Sequence, residues 1–241
     1  MPGEDFLALS QQLISCELVD AHPLIRRLRV IKSESEIEKI QHCCQLVSTA
    51  FEALPSALQS GMSERDACKA LQLDILGRGA DATPYLIGVS GPGSYDNIIM
   101  GPTDRKLEAG DVLVIDTGST FDGYFCDFDR NFAFGRPSEA AAQAYRAVYQ
   151  ATDAGFSAAR SGATTADVWN AMWQVMEQAG ALGNDVGRLG HGLGMQLTEW
   201  PSNKPDEPVT LEAGMVLTLE PGMIFAPNQL MVHEENIVIR D

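Results

Sequence analysis

The chain has 241 residues, of which 45% are hydrophobic, so one large domain or two small ones can bury a core without cross-links. A formal net charge of −16 argues against nucleic acid or an anionic membrane surface as the main partner. No apolar run reaches the length of a membrane span. The five cysteines lack the spacing of a disulfide scaffold, and Cys43 and Cys44 are adjacent, so we expect reduced thiols in a cytoplasmic protein.

The first third of the chain predicts two helices after a weakly patterned start. Residues 6–18 suit a short amphipathic helix, and residues 25–32 suit an extended link. From residue 35 onward, apolar side chains recur every three or four positions, which is typical of an amphipathic helix. Residues 63–79 predict a second helix, with Ser63 as its N-cap. A short strand over residues 85–89 and a loop follow.

The next pattern is a β-hairpin that carries an aspartate on each strand. Residues 112–115 form an apolar run that ends at Asp116, and residues 124–126 form another that ends at Asp127. An Asp-Gly pair at residues 122–123 is a strong hairpin-turn signal. A buried carboxylate is costly without a partner, and a cation bound between two of them removes that cost. The hairpin by itself leaves a second interpretation open, in which both aspartates face solvent near the turn.

Two further helices are predicted in the second half of the chain. Ser138 is the expected N-cap of the first helix, and Thr165 is that of the second. The second helix carries tryptophans at positions 169 and 173 and methionines at positions 172 and 176. This stripe could form a ligand surface, but packing against a sheet is favoured because methionine and tryptophan commonly fill irregular cores.

A second hairpin with acids closes the chain. Residues 216–219 end at Glu220, and residues 231–239 contain the adjacent acids Glu234 and Glu235. Strand alternation places these two glutamates on opposite faces, and composition does not say which face is the core. Between the hairpins lies His191, whose glycine neighbours leave room for a cation or substrate. A histidine held in its loop by backbone contacts is the alternative for this residue.

One histidine, two aspartates and two glutamates form a mixed, oxygen-rich ligand set. Such a set suits a pair of divalent ions such as Mn, Co, Zn or Fe(II) better than calcium or a cysteine-rich structural zinc site. Two helices followed by a hairpin occur twice along the chain. This repetition implies a pseudo-two-fold arrangement in which one hairpin from each half meets at a central metal site.

Five segments, in order, resemble the pita-bread metallopeptidase superfamily, which includes methionine aminopeptidase, aminopeptidase P, prolidase and creatinase. The segments are IDTG, GYFCDFDR, GHGLG, LTLEPGM and EENIVI. The resemblance implies an α+β pita-bread fold, with a curved, largely antiparallel sheet and helices on its outer face. It makes residues 34–241 the catalytic domain and residues 1–33 an N-terminal segment or linker. Aminopeptidase P and prolidase relatives carry a whole further domain before this point.

The resemblance also assigns a candidate metal site. It implies two divalent ions held by five ligands: Asp116, Asp127, His191, Glu220 and Glu234. By its spacing from the apolar residues that follow, it selects Glu234 over Glu235. Asp127 and Glu234 would bridge the ions, and Glu220 would act as general base on a metal-bound water. The implied activity is hydrolysis of an amide or peptide bond of the Xaa-Pro type in a small substrate. A homodimer is compatible with this resemblance.

The chain departs from these relatives where a peptidase would hold two histidines. Residues 98–100 are Ile-Ile-Met in the loop before the first hairpin, and Thr198 stands seven residues after His191. Asp129 replaces the usual threonine; it is a candidate extra ligand, ligand-orienting group or substrate contact, or else a salt-bridge partner of Arg130. The candidate substrate-binding residues are Tyr95, Asp96, Asp129, Thr198 and Glu199.

The missing histidines predict weak or absent hydrolysis of ordinary Xaa-Pro dipeptides, because such histidines would contact the scissile amide and move protons. A non-peptidase enzyme on the same metal site, either a small-molecule hydrolase or a lyase, is therefore an alternative. A catalytically inactive binding module is a third reading, disfavoured because all five ligands are present. Fold alone does not decide between the two enzymatic activities.

Overall fold

The computed structural model describes residues 3–184, 187–206 and 208–241. Its helices and strands follow one another in two halves, each with two helices and then antiparallel strands. Among these residues, no helix is both long and apolar enough to cross a membrane.

Two short helices, α1 (Gly3–Gln12) and α2 (His22–Val30), precede the first half. The prediction of an extended link over residues 25–32 is wrong, because most of that segment lies in α2. Proline stands in the first turn of α2, where its missing N–H and fixed φ suit a helix start. The guanidinium of Arg26 lies over the ring of Trp200, 5.2 Å from its centroid, and so ties α2 to the second half.

The first half contains α3 (Glu34–Ala53), α4 (Glu64–Gly77), β1 (Ala82–Pro92), β2 (Asp111–Phe121), β3 (Tyr124–Phe125) and β4 (Phe128–Ala133). β2 pairs antiparallel with β1, with β3 and with β4. Ser63 caps α4 as predicted, because its hydroxyl and the Asp66 carboxylate form a capping box. The Asp-Gly turn joins β2 to β3, with φ of 48° at Asp122 and 81° at Gly123, as a type I′ turn requires.

The second half contains α5 (Glu139–Ala158), α6 (Thr165–Gln178), β5 (His191–Gly192), β6 (Glu199–Ser202), β7 (Val216–Leu219), β8 (Gly222–Ala226), β9 (Gln229–Val232) and β10 (Glu235–Val238). One sheet has the strand order β10–β7–β5–β6. The predicted closing hairpin is therefore β7 paired with β10, and a separate β8–β9 hairpin is inserted between them. Ser138 caps α5 as predicted, but α6 is capped by Thr164 rather than Thr165, because Thr164 and Asp167 form a capping box.

β2 is buried on both faces, and each face packs against a different pair of helices. Leu113 and Ile115 lie in a core with side chains of α3 and α4. Val112 and Val114 lie in a second core with side chains of α5 and α6. Since side chains alternate along a strand, Asp116 shares the face of Val112 and Val114 and is directed toward the second half.

The methionine stripe of α6 belongs to the second core. Met172 and Met176 are fully buried there, which confirms the packing interpretation. Trp169 and Trp173 are partly buried against the same core, with their rings stacked 5.6 Å apart. Full burial of a methionine side chain stabilises the fold by about 1.5–3 kcal/mol, so this stripe anchors α6 to the sheet.

Candidate metal centre

Four of the five predicted ligands lie where a strand begins, ends or breaks. Asp127 lies in the gap between β3 and β4, and Glu234 lies in the gap between β9 and β10. His191 opens β5, and Glu220 directly follows β7. Asp116 lies within β2. Both halves of the chain therefore contribute candidate ligands to this region.

Asp127, His191 and Glu234 form the core of the site. One ligand atom from each lies within 4.8 Å of the other two, and all three side chains are buried. His191 Nε2 lies 3.5 Å from Asp127 Oδ2. His191 Nδ1 donates to the carbonyl oxygen of Gly192 at 2.9 Å, which leaves Nε2 directed at the carboxylates. Burial lowers the pKa of His191, so its imidazole is neutral and offers a lone pair to a cation.

The acids of this region carry oxygen atoms that lack hydrogen-bond donors. Asp116 Oδ1, Asp127 Oδ1 and Glu234 Oε1 are shielded from solvent, and no donor in the described part of the chain reaches them. Burial raises the pKa of all three carboxyls, and repulsion from neighbouring acids raises it further. A divalent cation would supply the missing partner and cancel the repulsion. The donor set therefore fits a metal ion.

Asp116 and Glu220 stand outside the 4.8 Å cluster but share its electrostatic environment. Both raise the pKa of Glu234, and Glu220 also raises that of Asp127. Glu220 is half-buried, and its N–H donates to the carbonyl of Leu189, two residues before His191, at 3.2 Å. The fold thus brings all five predicted ligands into one region.

The glycines around His191 allow strands to approach each other. Gly190 has φ of +126°, and a Cβ there would lie 2.1 Å from the carbonyl oxygen of Thr218. A Cβ on Gly192 would lie 2.5 Å from the carbonyl oxygen of Trp200. The expectation that these small residues leave room for a cation or substrate is corrected: they leave room for neighbouring backbone.

Comparison with known proteins identifies the family. Residues 38–241 match the model of metallopeptidase family M24. The chain belongs to this family. It is 32% identical over 240 residues to the probable dipeptidase PepE of Mycobacterium tuberculosis, a match that covers 99% of this chain and 63% of that protein. It is 29% identical over 217 residues to the Xaa-Pro dipeptidase of Pyrococcus furiosus, covering 90% of this chain and 62% of that protein. The chain therefore spans less than two thirds of these relatives.

Solved structures of family M24 proteins have the same architecture. The dipeptidase PepE from Mycobacterium ulcerans superposes with a TM-score of 0.91 at 32% identity, covering 99% of this chain and 64% of that one. A recombinant prolidase from Thermococcus sibiricus gives a TM-score of 0.93 at 28% identity, covering 100% of this chain and 66% of that one. The predicted α+β pita-bread fold is confirmed.

In this M24 chain, Asn236 holds Asp127 in place, a contact that sequence reasoning missed. Asn236 Oδ1 accepts from the N–H of Asp127 at 3.0 Å, and Asn236 Nδ2 donates to the carbonyl of Asp127. The side chain thereby satisfies backbone groups that the break between β3 and β4 leaves without a strand partner. Cys44 Sγ donates to the same Oδ1 at 3.3 Å. No sequence pattern marks this contact, since the two residues are 109 positions apart.

Tyr85 and Arg188 are two further residues of the site that the sequence did not reveal. Burial and the neighbouring acids raise the pKa of Asp116, and the phenol of Tyr85, on β1, opposes that rise. Burial and then repulsion from the nearby acids raise the pKa of Tyr85, so the phenol stays protonated. The half-buried Arg188 opposes part of the rise in the pKa of Asp127 that burial and Glu220 cause, and it adds to the lowering of the pKa of His191 by burial.

The structure separates the adjacent glutamates of the second hairpin. Glu234 joins the metal-binding cluster, whereas the Glu235 carboxylate accepts from Arg130 Nη2 at 2.7 Å. Arg130 Nη1 also donates to the carbonyl of Glu234 at 3.1 Å, and Asn131 donates to the carbonyl of Val232 at 2.7 Å. Side chains of β4 therefore form hydrogen bonds with the chain on both sides of Glu234.

Two candidate substrate-binding residues occupy other environments. The prediction that Tyr95 lines the pocket mouth is wrong, because Tyr95 is buried in the second core. Its hydroxyl donates to Asn131 Oδ1 at 2.7 Å and accepts from the N–H of Val232 at 3.0 Å. Asp96, next in the chain, is exposed. This loop therefore contributes a core residue and a surface residue.

The residues at the second missing histidine also differ from expectation. Thr198 is exposed, and the Glu199 carboxylate pairs with Lys32 Nζ at 3.2 Å and with the guanidinium of Arg29. Glu199 therefore forms ion pairs with Arg29 of α2 and with Lys32, just after this helix. His233 does not replace the missing imidazole, because its Nδ1 shares a hydrogen bond of 3.1 Å with the Thr152 hydroxyl of α5.

Proposed function

We propose that this chain is the catalytic region of a metal-dependent peptidase that hydrolyses short peptides. Two divalent ions would be held by the five ligands Asp116, Asp127, His191, Glu220 and Glu234. The observation that supports this most is the convergence of Asp127, His191 and Glu234 from both halves, with buried carboxylate oxygens that lack donors. The names of the relatives, dipeptidase and Xaa-Pro dipeptidase, support the substrate class.

The chemistry assigned to each residue follows from its position. A pair of divalent ions lowers the pKa of a bound water and stabilises charge on the oxygens of a reacting carbonyl. Asp127 and Glu234, from opposite halves, would be among the residues that hold the ions. Glu220, half-buried in the same region, would act as the general base toward water. The ligand set suits Mn, Co, Zn or Fe(II).

Proton delivery to the leaving amine limits the substrate range. Residues 98–100 and 198 carry no imidazole, and the only other buried histidine in the described chain, His233, is bonded to Thr152. We therefore expect weak activity on ordinary Xaa-Pro dipeptides. Activity should be higher on peptides or small amides whose leaving group needs less proton assistance.

Steady-state kinetics on metal-loaded protein test this function. The panel contains Xaa-Pro dipeptides, longer Xaa-Pro peptides, dipeptides without proline and small non-peptide amides. A kcat/KM of about 10⁴–10⁸ M⁻¹s⁻¹ on one peptide class would place the protein in the ordinary enzyme range. Turnover of non-peptide substrates alone, with full metal occupancy, would instead identify a non-peptidase hydrolase or lyase.

The proposal also covers the domain bounds, the cellular location and the assembly of the protein. Residues 34–241 would form the catalytic domain, with residues 1–33 as its N-terminal segment. The five free cysteines support a reducing, cytoplasmic location. A homodimer is the assembly to test, by light scattering.

A further inference from the structure

Asp129 lies directly across from Asp116 in the first-half sheet. The antiparallel pairing of β2 with β4 puts Asp116 opposite Asp129, with Val114 opposite Asn131 on the same face. Side chains directly opposite each other on one face have Cβ atoms about 4.5–5.5 Å apart. Asp129 is therefore directed at the same space as the predicted ligand Asp116.

The Asp129 carboxylate is buried, and one of its oxygens lacks a hydrogen-bond donor in the described chain. Only 1% of its surface is exposed, and its Oδ1 has no hydrogen-bond donor within the described residues. The alternative of a salt bridge between Asp129 and Arg130 is not formed: Arg130 Nη1 donates to the backbone carbonyl of Asp129, at 2.7 Å, and not to its carboxylate. Its guanidinium instead pairs with Glu235, as described above.

Two like charges directly opposite on one sheet face are destabilising in the absence of a counter-charge. For Asp116 and Asp129 the cost is increased because both are buried. Arg130 follows Asp129 in the chain, but its guanidinium pairs with Glu235 instead. A bound cation on this side of the site removes the conflict.

We propose that Asp129 is a sixth protein ligand of the metal centre, placed beside Asp116. This rests on the proposed metal site and extends it. The site then has five carboxylates, from Asp116, Asp127, Asp129, Glu220 and Glu234, and one imidazole. Two divalent ions compensate four of the five negative charges, so the bound site keeps one excess negative charge.

The additional carboxylate changes which metal the site prefers. Zinc favours four-coordinate sites with nitrogen or sulfur ligands, whereas manganese accepts more ligands and favours carboxylate oxygen. A sixth oxygen-rich ligand therefore favours Mn²⁺ relative to Zn²⁺. Asp129 is a specificity-determining residue for the metal under this proposal.

The test compares Mn²⁺ and Zn²⁺ binding by wild-type protein and by two variants, Asp129→Asn and Asp129→Thr. The control is Asp153→Asn, which removes the same charge from an exposed position on α5. Calorimetric titration gives the affinities, electron paramagnetic resonance reports bound Mn²⁺, and thermal melts of metal-free protein report the fold. Both Asp129 variants should bind Mn²⁺ at least about tenfold more weakly, with a smaller loss for Zn²⁺. Their metal-free melting temperatures should equal or exceed that of wild type.

The possible results separate this inference from the proposed function. Wild-type protein that binds neither Mn²⁺ nor Zn²⁺ overturns the metal site and the role of Asp129 together. Wild-type binding with unchanged Mn²⁺ affinity in both Asp129 variants overturns only the role of Asp129. An equal loss for Mn²⁺ and Zn²⁺, accompanied by a lower metal-free melting temperature, shows a structural role and also overturns it.

Discussion

β2 carries two buried aspartates five positions apart, Asp111 and Asp116, with opposite surroundings. Asp111 is 2% exposed and accepts two hydrogen bonds from Arg105, at 2.6 and 2.8 Å, and one from the N–H of Glu108 at 2.9 Å. Burial would raise the pKa of Asp111, but these hydrogen bonds outweigh it and lower the pKa. Asp116 is 8% exposed, its Oδ1 has no donor in the described chain, and burial and repulsion raise its pKa.

Glu64 repeats the pattern of Asp111. Its carboxylate accepts from the backbone N–H and the hydroxyl of both Ser90 and Thr103, at distances from 2.6 to 3.0 Å. Burial raises the pKa of Glu64, but these four donors lower it overall. Burial of an acid therefore does not identify a functional site. The lack of donors at several neighbouring acids in the described chain is the feature that supports a cation site, because a bound cation would supply the missing partner.

The largest predicted effect is on catalysis, at Glu220. Glu220→Gln should lower kcat/KM by about 10²- to 10⁴-fold, because it removes the proposed general base. The matched control is Glu212→Gln, at an exposed position four residues before β7. Steady-state kinetics on metal-loaded proteins measure both. Activity of Glu220→Gln within threefold of wild type would remove Glu220 from the mechanism.

The free energy of unfolding should respond differently to substitution of a hydrogen-bonded acid, Asp111, and of an acid with an oxygen that lacks a donor, Asp127. Asp111→Asn should lower the free energy of unfolding by about 2–3 kcal/mol, because it breaks charge-assisted hydrogen bonds to Arg105. Asp127→Asn should not destabilise the metal-free protein, because it removes repulsion rather than a partner. Urea denaturation in the presence of a chelator measures both. Equal destabilisation by the two substitutions would contradict the distinction between satisfied and unsatisfied acids.

The hydrogen bonds between the Asn236 side chain and the Asp127 backbone should affect metal affinity. Asn236→Ala removes both hydrogen bonds to the Asp127 backbone, and we expect metal affinity about 10- to 100-fold weaker. Asn170→Ala, at an exposed position of α6, serves as the control. Calorimetric titration with Mn²⁺ is the measurement. An unchanged affinity would show that the backbone between β3 and β4 positions Asp127 without the contact to Asn236.

The smallest predicted effect is a pH dependence at the satisfied acids. Because the folded-state pKa values of Glu64 and Asp111 are lowered, their stabilisation is present above the ordinary carboxyl pKa of about 4. It is lost as the pH falls through the folded-state values. The difference in unfolding free energy between wild type and Asp111→Asn should therefore shrink from pH 6 to pH 3. A difference that stays constant over this range would be evidence against the role of Arg105.

The sequence identified the candidate ligands and the caps Ser63 and Ser138 because their signals are local. Asp116 ends an apolar run along one strand, and Ser63 and Ser138 precede amphipathic helices, so a few neighbouring residues suffice. The metal interpretation needed five such local signals together. The choice of Glu234 over Glu235 came from family spacing, since alternation alone gave no preference.

The features that the sequence did not predict depend on contacts between distant segments. Asn236 meets Asp127 only after the two halves come together. Tyr95 is buried because its hydroxyl finds Asn131 and Val232, which lie on other strands. Residues 25–30 lie in α2, whose Arg26 and Arg29 contact Trp200 and Glu199 of the second half. Local propensity is a weak prior, and tertiary contacts decide such segments.

The central claim is that buried acids from both halves surround a pair of divalent ions. Anomalous diffraction at the manganese edge, from crystals equilibrated with Mn²⁺, tests it most directly. We predict two peaks about 3.5–4 Å apart, between Asp127 and Glu234. Well-folded protein with no anomalous peak within coordination distance of these side chains, at saturating Mn²⁺, would contradict the account.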